Sequence, residues 1–270
     1  MKELSIDAIK EIEIQILDYI DSVCKENKLR YFLAWGTLLG AVRHEGFIPW
    51  DDDVDIIMPR EDYERLLSII NKSDNNYKAL SYKYEQEYYY PFAKVIDSTT
   101  LVIENGTVKT NKMGIWVDIF PIDTLPDNEK KRKKIQDKCW VYRQIWGHAL
   151  AWKTHSITRG FAYKLGCFAC YLYGWKHAIK RLDEVATSIQ GPTSYVGEVI
   201  ECNHKYDTMP ADWFASCVYK LFEGKEYPVP IGYEGYLALT YGDYMKLPPV
   251  EKRVSNHNFV AYLKDNLVEP

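Results

Sequence analysis

The chain has 270 residues, of which 47% are hydrophobic and 27% are charged, and its formal net charge is −4. This composition excludes a disordered chain and is enough for a sizeable core. It also argues against broad nucleic-acid binding, which needs a basic surface. The sequence has no apolar signal segment and no run of roughly 18 apolar residues. It therefore predicts a cytoplasmic protein with reduced thiols.

Hydrophobic periodicity predicts an alternation of helices and short strands in the first half of the chain. Ser5 provides an N-cap for the first helix, Pro59 suits the first turn of another, and Pro121 is expected to end a strand. Helices are predicted over residues 6–25, 38–42 and 61–70, and strands over residues 31–35, 53–58, 92–96, 101–104 and 114–120.

The second half has a different pattern. Residues 128–190 favour helix, and the region after residue 191 is rich in Gly, Pro and Tyr, which predicts loops with short helices. The expected fold class is α+β (α/β), with a small mixed sheet flanked by helices. We expect a core over 1–125, a helical region over 126–190 and a loop-rich region over 191–270 that packs back on the core as one compact unit.

A cluster of carboxylates precedes one of the predicted strands, in the stretch FIPWDDDVDIIM at 47–58. Alternate side chains of a strand share a face, so Asp53 and Asp55 are expected to point the same way. Two carboxylates on one face repel each other unless a cation lies between them, and oxygen ligands suit Mg²⁺ or Mn²⁺. The alternative is a solvated acidic turn. Asp51 and Asp52 are expected to hold the loop rather than to bind metal.

Another carboxylate lies in the predicted strand GIWVDIF. Asp118 has apolar neighbours on both sides, and it adds a third carboxylate to the same place if the two strands are adjacent. A metal held in this way typically binds substrate phosphates.

A phosphate-binding site is therefore expected near the carboxylates. Gly36 and Thr37 lie where a strand gives way to a helix, whose N-terminus presents free N–H groups to an anion. Arg43 and His44 lie between this turn and the carboxylates and are further candidates for phosphate contact, unless they form an ordinary surface loop.

The order strand, Gly-Thr, short helix, Asp-x-Asp strand and later Asp resembles the nucleotidyltransferase (polymerase-beta-like) fold. GTLLGAVRHEGFIPWDDDVDIIMPREDYERL, at 36–66, resembles the LicD family of phosphocholine transferases, which is related to fukutin and the fukutin-related protein. FAKVIDSTT at 92–100, GIWVDIFPID at 114–123 and YGDYMKLPPVEKRVSNH at 241–257 extend the resemblance. Residues 125–235 carry no matching motif.

The resemblance implies a Mg²⁺-dependent (or Mn²⁺-dependent) transfer of a phospho-alcohol, typically phosphocholine from CDP-choline, with CMP as the leaving group. The implied acceptor is a hydroxyl of a cell-surface glycan or lipid-linked oligosaccharide, such as teichoic acid or lipopolysaccharide. The family-type metal ligands fall on Asp53, Asp55 and Asp118. Asp118 is either a ligand or the base that takes the acceptor proton.

Further contacts to the donor are expected from other segments. Lys94 is a candidate for pairing a phosphate, unless it is a solvent-facing strand lysine. In the tail, Lys252 and Arg253 follow a rigid Leu-Pro-Pro turn and are expected to close over the donor. Tyr241, Asp243 and Tyr244, which precede that turn, are expected to shape the same pocket.

A choline head group requires aromatic faces, since a quaternary ammonium is attracted to the ring quadrupole. The chain has 8 Trp and 22 Tyr, so candidates are plentiful. Trp50 is the tryptophan expected at the site, whereas Trp35 and Trp116 are expected in the core.

Two other functions stay open from the sequence: a nucleotidyltransferase that transfers an NMP, and a non-catalytic binding protein. KKRKK at 130–134 is read as a solvated helix face or a contact with anionic lipid. Residues 161–175 are read as a buried helix, with an interfacial helix as the alternative. A peripheral contact with the inner face of a membrane is therefore part of the prediction. Zinc is not expected at Cys167 and Cys170 or at Cys202 and His204.

Overall fold

The computed structural model describes residues 1–104, 108, 110, 112–154, 160–201, 208–253 and 259–264. Within these residues the fold is α+β, as predicted. Its helices are α1 (Ile6–Asn27), α2 (Trp35–Arg43), α3 (Arg60–Lys72), α4 (Glu129–Lys153), α5 (Phe161–Tyr173), α6 (Trp175–Ala186) and α7 (Tyr233–Tyr241). Its strands are β1 (Lys2–Glu3), β2 (Phe32–Leu33), β3 (Asp55–Pro59), β4 (Tyr77–Leu80), β5 (Ala93–Asp97), β6 (Thr100–Glu104), β7 (Trp116–Leu125), β8 (Tyr195–Gly197), β9 (Met209–Pro210), β10 (Cys217–Phe222), β11 (Lys225–Pro230) and β12 (Phe259–Leu263).

The central sheet is mixed and has the strand order β2-β3-β7-β5-β4, with β8 and β9 continuing beyond β7. β3 and β7 run parallel, whereas β2, β5 and β4 pair antiparallel to their neighbours. Helices α1 and α3 contact this sheet and bury their apolar faces in one large core that includes Ile16, Leu66 and Ile56. This is the predicted small mixed sheet flanked by helices.

Ser5 caps α1 as predicted, because its side chain accepts a hydrogen bond from the Ala8 N–H. The second helix, however, begins at Trp35 rather than at residue 38. Trp35 has a φ of 47°, in the left-handed region that residues other than glycine rarely adopt. The chain therefore turns sharply from β2 into α2, and Gly36 and Thr37 lie inside the first helical turn.

Two strand boundaries differ from the prediction. The strand predicted from residue 53 begins at Asp55. Pro121 does not end β7, which continues to Leu125. On the edge of β7 that faces away from β3, the strand pairs with β5 up to Ile119 and with β8 from Asp123. Pro121 falls in the gap between those two pairings, where a missing N–H costs no ladder hydrogen bond.

Helices α4 to α6 confirm the helical reading of residues 128–190. The reading of the last region as loops with short helices was wrong in part, because strands β8 to β12 lie there. β10 and β11 form a hairpin around Glu223 and Gly224, which both have positive φ, as two-residue hairpin turns require. β12 pairs with β6 and β1. Cys202, His204 and residues 254–257 of the tail motif lie outside the described residues.

Candidate active site

A cleft of about 1060 Å³ opens where β3 and β7 begin. Its walls come from the start of α2, the loop before β3, the strand β7 and the segment that follows α7. The structure brings together in its lining ten of the predicted site residues: Gly36, Arg43, Trp50, Asp53, Asp55, Asp118, Tyr241, Asp243, Tyr244 and Lys252. Segments more than 180 residues apart in the sequence therefore form one site.

Three carboxylates lie in this cleft. Asp55 and Asp118 are directly paired in register across the parallel strands β3 and β7, which lie about 4.8 Å apart in such a ladder. Asp53 precedes β3 and also lines the cleft. The two strands are therefore adjacent, as predicted. The prediction that Asp53 lies within the strand was wrong, because β3 begins at Asp55.

The electrostatics of Asp55 show how crowded this negative charge is. Burial raises its pKa well above the ordinary value, and the nearby Asp53 and Asp118 raise it further, while Lys94 opposes the effect. A divalent cation would remove this repulsion, and the donors are all carboxylate oxygens, as Mg²⁺ and Mn²⁺ prefer. In the part of the chain that the structure describes, no three His, Cys, Asp or Glu side chains are placed to hold a metal ion by themselves. The carboxylates would supply part of a coordination shell, with room for phosphate oxygens.

Lys94 lies behind Asp118 rather than in the cleft. Its Nζ donates to Asp118 Oδ1 at 2.5 Å, and it lies 4.1 Å from the centroid of the Trp116 ring. Trp116 Nε1 donates to Asp118 Oδ2 at 3.1 Å. Since Lys94 is only 2% exposed, the alternative of a solvent-facing lysine is wrong. Lys94 and Trp116 each donate to one oxygen of Asp118 and together fix the orientation of its carboxylate.

The Gly36-Thr37 turn is tied to the carboxylates. Thr37 is buried, and its Oγ1 accepts a hydrogen bond from the Asp55 N–H at 2.8 Å. A Cβ atom on Gly36 would lie 2.4 Å from Asp51 Oδ2, so the missing side chain allows Asp51 to approach the start of α2. The turn thus positions the acidic loop and strand β3. Direct phosphate binding by Thr37 stays a prediction.

A basic and aromatic rim closes one side of the cleft. Arg43 donates from Nε to His44 Nε2 at 2.9 Å and from Nη1 to the Tyr244 carbonyl at 2.8 Å. The guanidinium carbon of Arg253 lies 5.4 Å from the centroid of the Trp50 ring. His44 Nε2 is the acceptor in this pair, because the guanidinium of Arg43 can only donate. Burial, followed by the charge of Arg43, lowers the pKa of His44. The rim joins the loop before β3 to the C-terminal tail.

Sequence reasoning missed one buried carboxylate under the site. Glu13 of α1 is 2% exposed, and its Oε2 has no hydrogen-bond partner among the described residues. Burial raises its pKa, and Asp53 and Asp52 raise it further. Its position was readable from the sequence, because it follows Ile9 by four residues and precedes Ile16 by three, on the apolar face of the helix.

An aromatic wall and a second unpredicted carboxylate complete the lining. Phe120 lies 4.5 Å from Phe92 and 6.1 Å from Trp35, measured between ring centroids, and all three line the cleft. Glu201 also lines it; Oε1 accepts from Arg143 Nη2 at 2.8 Å, while Oε2 has no partner among the described residues. Burial raises the pKa of Glu201 against the opposing effect of Arg143. Trp35 was expected in the core; it is half-buried, packs against the core and also lines the cleft. Trp116 is in the core as predicted.

Comparison with known proteins extends over this whole site. The sequence profile of the family described as LicD/FKTN/FKRP, nucleotidyltransferase domain, matches residues 28–158. The lipopolysaccharide cholinephosphotransferase LicD of Haemophilus influenzae is 30% identical over 97% of this chain and 100% of its own length. Uncharacterized proteins of Rickettsia prowazekii and Rickettsia typhi are 34% and 38% identical over 47% and 26% of this chain, which cover 46% and 21% of their lengths. The similarity to the Haemophilus influenzae protein includes the tail segment of the cleft, which lies outside the family match.

Proposed function

This chain belongs to the LicD/FKTN/FKRP family, and from that premise we propose that it transfers phosphocholine, or a related phospho-alcohol, from a CDP-activated donor to a hydroxyl of a cell-surface glycan or glycolipid. CMP is the leaving group. The observation that carries the proposal is the convergence of Asp53, Asp55 and Asp118 with a basic rim in one cleft. The named activity of the Haemophilus influenzae relative supports phosphocholine as the group and lipopolysaccharide as the class of acceptor.

The diphosphate of the donor is expected to bind at the carboxylates. Asp53, Asp55 and Asp118 would hold Mg²⁺ or Mn²⁺, which supplies positive charge to the bridging phosphate oxygens and to the departing CMP. Arg43 and Lys252 line the same cleft and add charge that positions the phosphates. Catalysis in this scheme is mainly positioning and charge stabilisation. Lys94 and Trp116 act by holding the Asp118 carboxylate, which suits a ligand better than a mobile base.

The choline end of the donor is expected at the aromatic wall. Trp35, Phe92 and Phe120 offer ring faces to a quaternary ammonium. Glu201 supplies a carboxylate oxygen with no partner among the described residues, and a bound cation would satisfy it. Phosphocholine thus fits the chemistry of the cleft better than a neutral alcohol such as ribitol or glycerol.

The role of Glu201 gives a direct prediction. In Glu201→Gln the KM for CDP-choline should rise about tenfold or more, while kcat changes by less than about threefold, because a binding charge is lost while the glutamine oxygen can still accept from Arg143. The matched control is CDP-glycerol, whose neutral alcohol should be affected little. A large fall in kcat with both donors would instead make Glu201 the base that accepts the acceptor proton.

Phosphorus NMR tests the proposed reaction. The purified chain is incubated with CDP-choline, CDP-ethanolamine, CDP-ribitol and CDP-glycerol in turn, each with a glycolipid acceptor and with either Mg²⁺ or EDTA. We expect Mg²⁺-dependent release of CMP from CDP-choline, a new phosphodiester signal, and neither in Asp55→Asn. Release of pyrophosphate from CTP or ATP without CMP from any CDP-alcohol would favour the nucleotidyltransferase. No turnover of any donor would favour a non-catalytic protein.

A further inference from the structure

Helix α5 has an apolar face that the described residues of the protein leave uncovered. The helix has 13 residues, of which Lys164 is the only charged one. Cys167 is buried on the side of the helix that packs against α4. On the other side Leu165 is 58% exposed and Leu172 is 69% exposed. The expectation of a buried helix is therefore wrong for this segment.

The exposed side chains form a continuous surface, because residues three and four apart are neighbours on a helix. Phe168 lies between Leu165 and Leu172 on this face and also contacts Trp152 of α4, with ring centroids 5.0 Å apart. Tyr171 and Tyr173 of α5 are also exposed. A surface helix normally turns polar residues to the solvent, so a face of this kind indicates a binding surface.

The segment of the chain that contains this face is strongly basic. Residues 129–186 contain 13 lysines and arginines but only 4 aspartates and glutamates. Their net charge is +9, in a chain whose net charge is −4. Exposed lysines flank α5 in the sequence on both sides: Lys153 at the end of α4, and Lys176 and Lys180 in α6. The helical region is thus a basic body that presents one apolar face.

We propose that α5 docks the protein on a bilayer surface that contains anionic lipids, with the Leu165–Leu172 face among the headgroups and the flanking lysines at the lipid phosphates. Amphipathic segments with a basic surround bind membranes by this combination of apolar burial and electrostatic attraction. At about 1.5 Å per residue, α5 is roughly 20 Å long, too short to cross a hydrocarbon core of about 30 Å. None of the helices among the described residues is long and apolar enough to cross a membrane.

A second copy of the chain is a poorer occupant of this face. Two copies that paired through α5 would bring two regions of net charge +9 together, and like charges across an interface oppose association. An anionic bilayer is complementary to both the apolar face and the charge. The docking does not depend on the transferase reaction, although it would place the enzyme where a lipid-linked acceptor is found.

Vesicle sedimentation of the full chain tests the docking. Large unilamellar vesicles of phosphatidylcholine alone are compared with vesicles that also contain phosphatidylglycerol, at low and high salt. We expect binding to the anionic vesicles only, with at least about tenfold weaker binding at high salt. Leu165→Gln/Leu172→Gln should weaken binding about tenfold or more. Glutamine has a helix propensity close to that of leucine, so α5 should remain intact.

Two further variants serve as comparisons. Ile231→Gln changes an exposed apolar residue at the end of the β10–β11 hairpin and should bind vesicles like the wild type. Lys164→Gln/Lys176→Gln/Lys180→Gln should weaken binding on the order of 10- to 100-fold. The proposal is overturned if the wild type ignores anionic vesicles, or if Leu165→Gln/Leu172→Gln binds them unchanged. A dimer in sedimentation velocity that this double variant dissociates, without vesicle binding, would also overturn it in favour of self-association.

Discussion

Asp55 is the residue at which the strand, the Gly36-Thr37 turn and the other carboxylates of the cleft meet. It starts β3, its N–H is held by Thr37, and its carboxylate lies beside Asp118 and Asp53. The rise in its pKa comes from burial and from these like charges. The like charges repel each other, and a bound cation, as proposed above, would relieve this repulsion.

Removal of one of these charges should separate stability from activity. In the presence of EDTA, Asp53→Asn should raise the free energy of unfolding by about 1 kcal/mol, since it removes one of the like charges that act on Asp55. The same variant should lose at least about 100-fold in kcat/KM for CMP release. Urea unfolding and the NMR assay measure the two quantities. Unchanged turnover would remove Asp53 from the metal site.

Glu13 makes a prediction about pH. Its pKa is raised in the folded chain, so above the ordinary glutamate value of about 4.3 the folded state still binds a proton that the unfolded chain has released. Stability attributable to Glu13 therefore falls as pH rises through that window. The stability advantage of Glu13→Gln over the wild type should therefore grow between pH 4 and pH 8 in EDTA.

Urea unfolding at several pH values measures that difference. Asp55, whose pKa is shifted in the same direction, is present in both proteins, so the comparison isolates Glu13. A constant difference between the two proteins over the whole range would contradict the burial of a titrating carboxyl at this position.

At the scale of single residues, the sequence predicts what its local pattern contains. Alternation and apolar neighbours singled out Asp53, Asp55 and Asp118, and all three line the cleft, although Asp53 lies just before β3. Glu201 was not found, since it follows no motif and reaches the cleft through its ion pair with Arg143 of α4. Lys94 was found, but its buried pair with Asp118 depends on strand register, which a sequence pattern does not fix.

Among secondary-structure elements, Arg60 connects three parts of the fold. It is the first residue of α3, and its Nε and Nη2 donate to both oxygens of Asp123 in β7 at 2.7 Å. Its Nη1 donates to Asp183 of α6 at 3.0 Å. Asp123 is buried, and Arg60 is largely covered. The helical region is thus joined to the central sheet by a buried ion-pair network.

Loss of the guanidinium should be costly because it leaves carboxylates buried without their partner. Arg60→Met is expected to lower the free energy of unfolding by about 3–5 kcal/mol. Asp183→Asn keeps the bidentate pair with Asp123 and serves as the milder control, with a smaller loss. Urea denaturation measures both. A loss below about 1 kcal/mol in Arg60→Met would mean that α6 is held by apolar packing alone.

Element types were predictable where periodicity is strong, as in α1 and α3. The boundaries were less so: α2 begins at Trp35 because that residue takes a positive φ, and β7 passes Pro121 because its pairing partner changes there. Strands β8 and β12 of the last region were missed because they owe their pairing to distant strands. Such long-range pairing has no local signature.

Over the whole molecule, the first and last regions of the chain are interleaved. β8 pairs with β7, β12 pairs with β6 and β1, and the segment after α7 forms one wall of the cleft. We propose on this basis that the regions 1–125, 126–190 and 191–270 fold as one unit. The active site then requires the complete arrangement, because its carboxylates and its tail wall come from opposite ends of the chain.

The central claim is that this cleft transfers the phospho-alcohol half of a CDP-alcohol, and the mass of the acceptor tests it most directly. The chain is incubated with CDP-choline, Mg²⁺ and a glycolipid acceptor, beside Asp55→Asn as control, and the acceptor is analysed by mass spectrometry. We predict an acceptor that carries phosphocholine with the wild type and an unmodified acceptor with Asp55→Asn. An acceptor that carries a cytidylyl group, or equal modification by Asp55→Asn, would contradict the account.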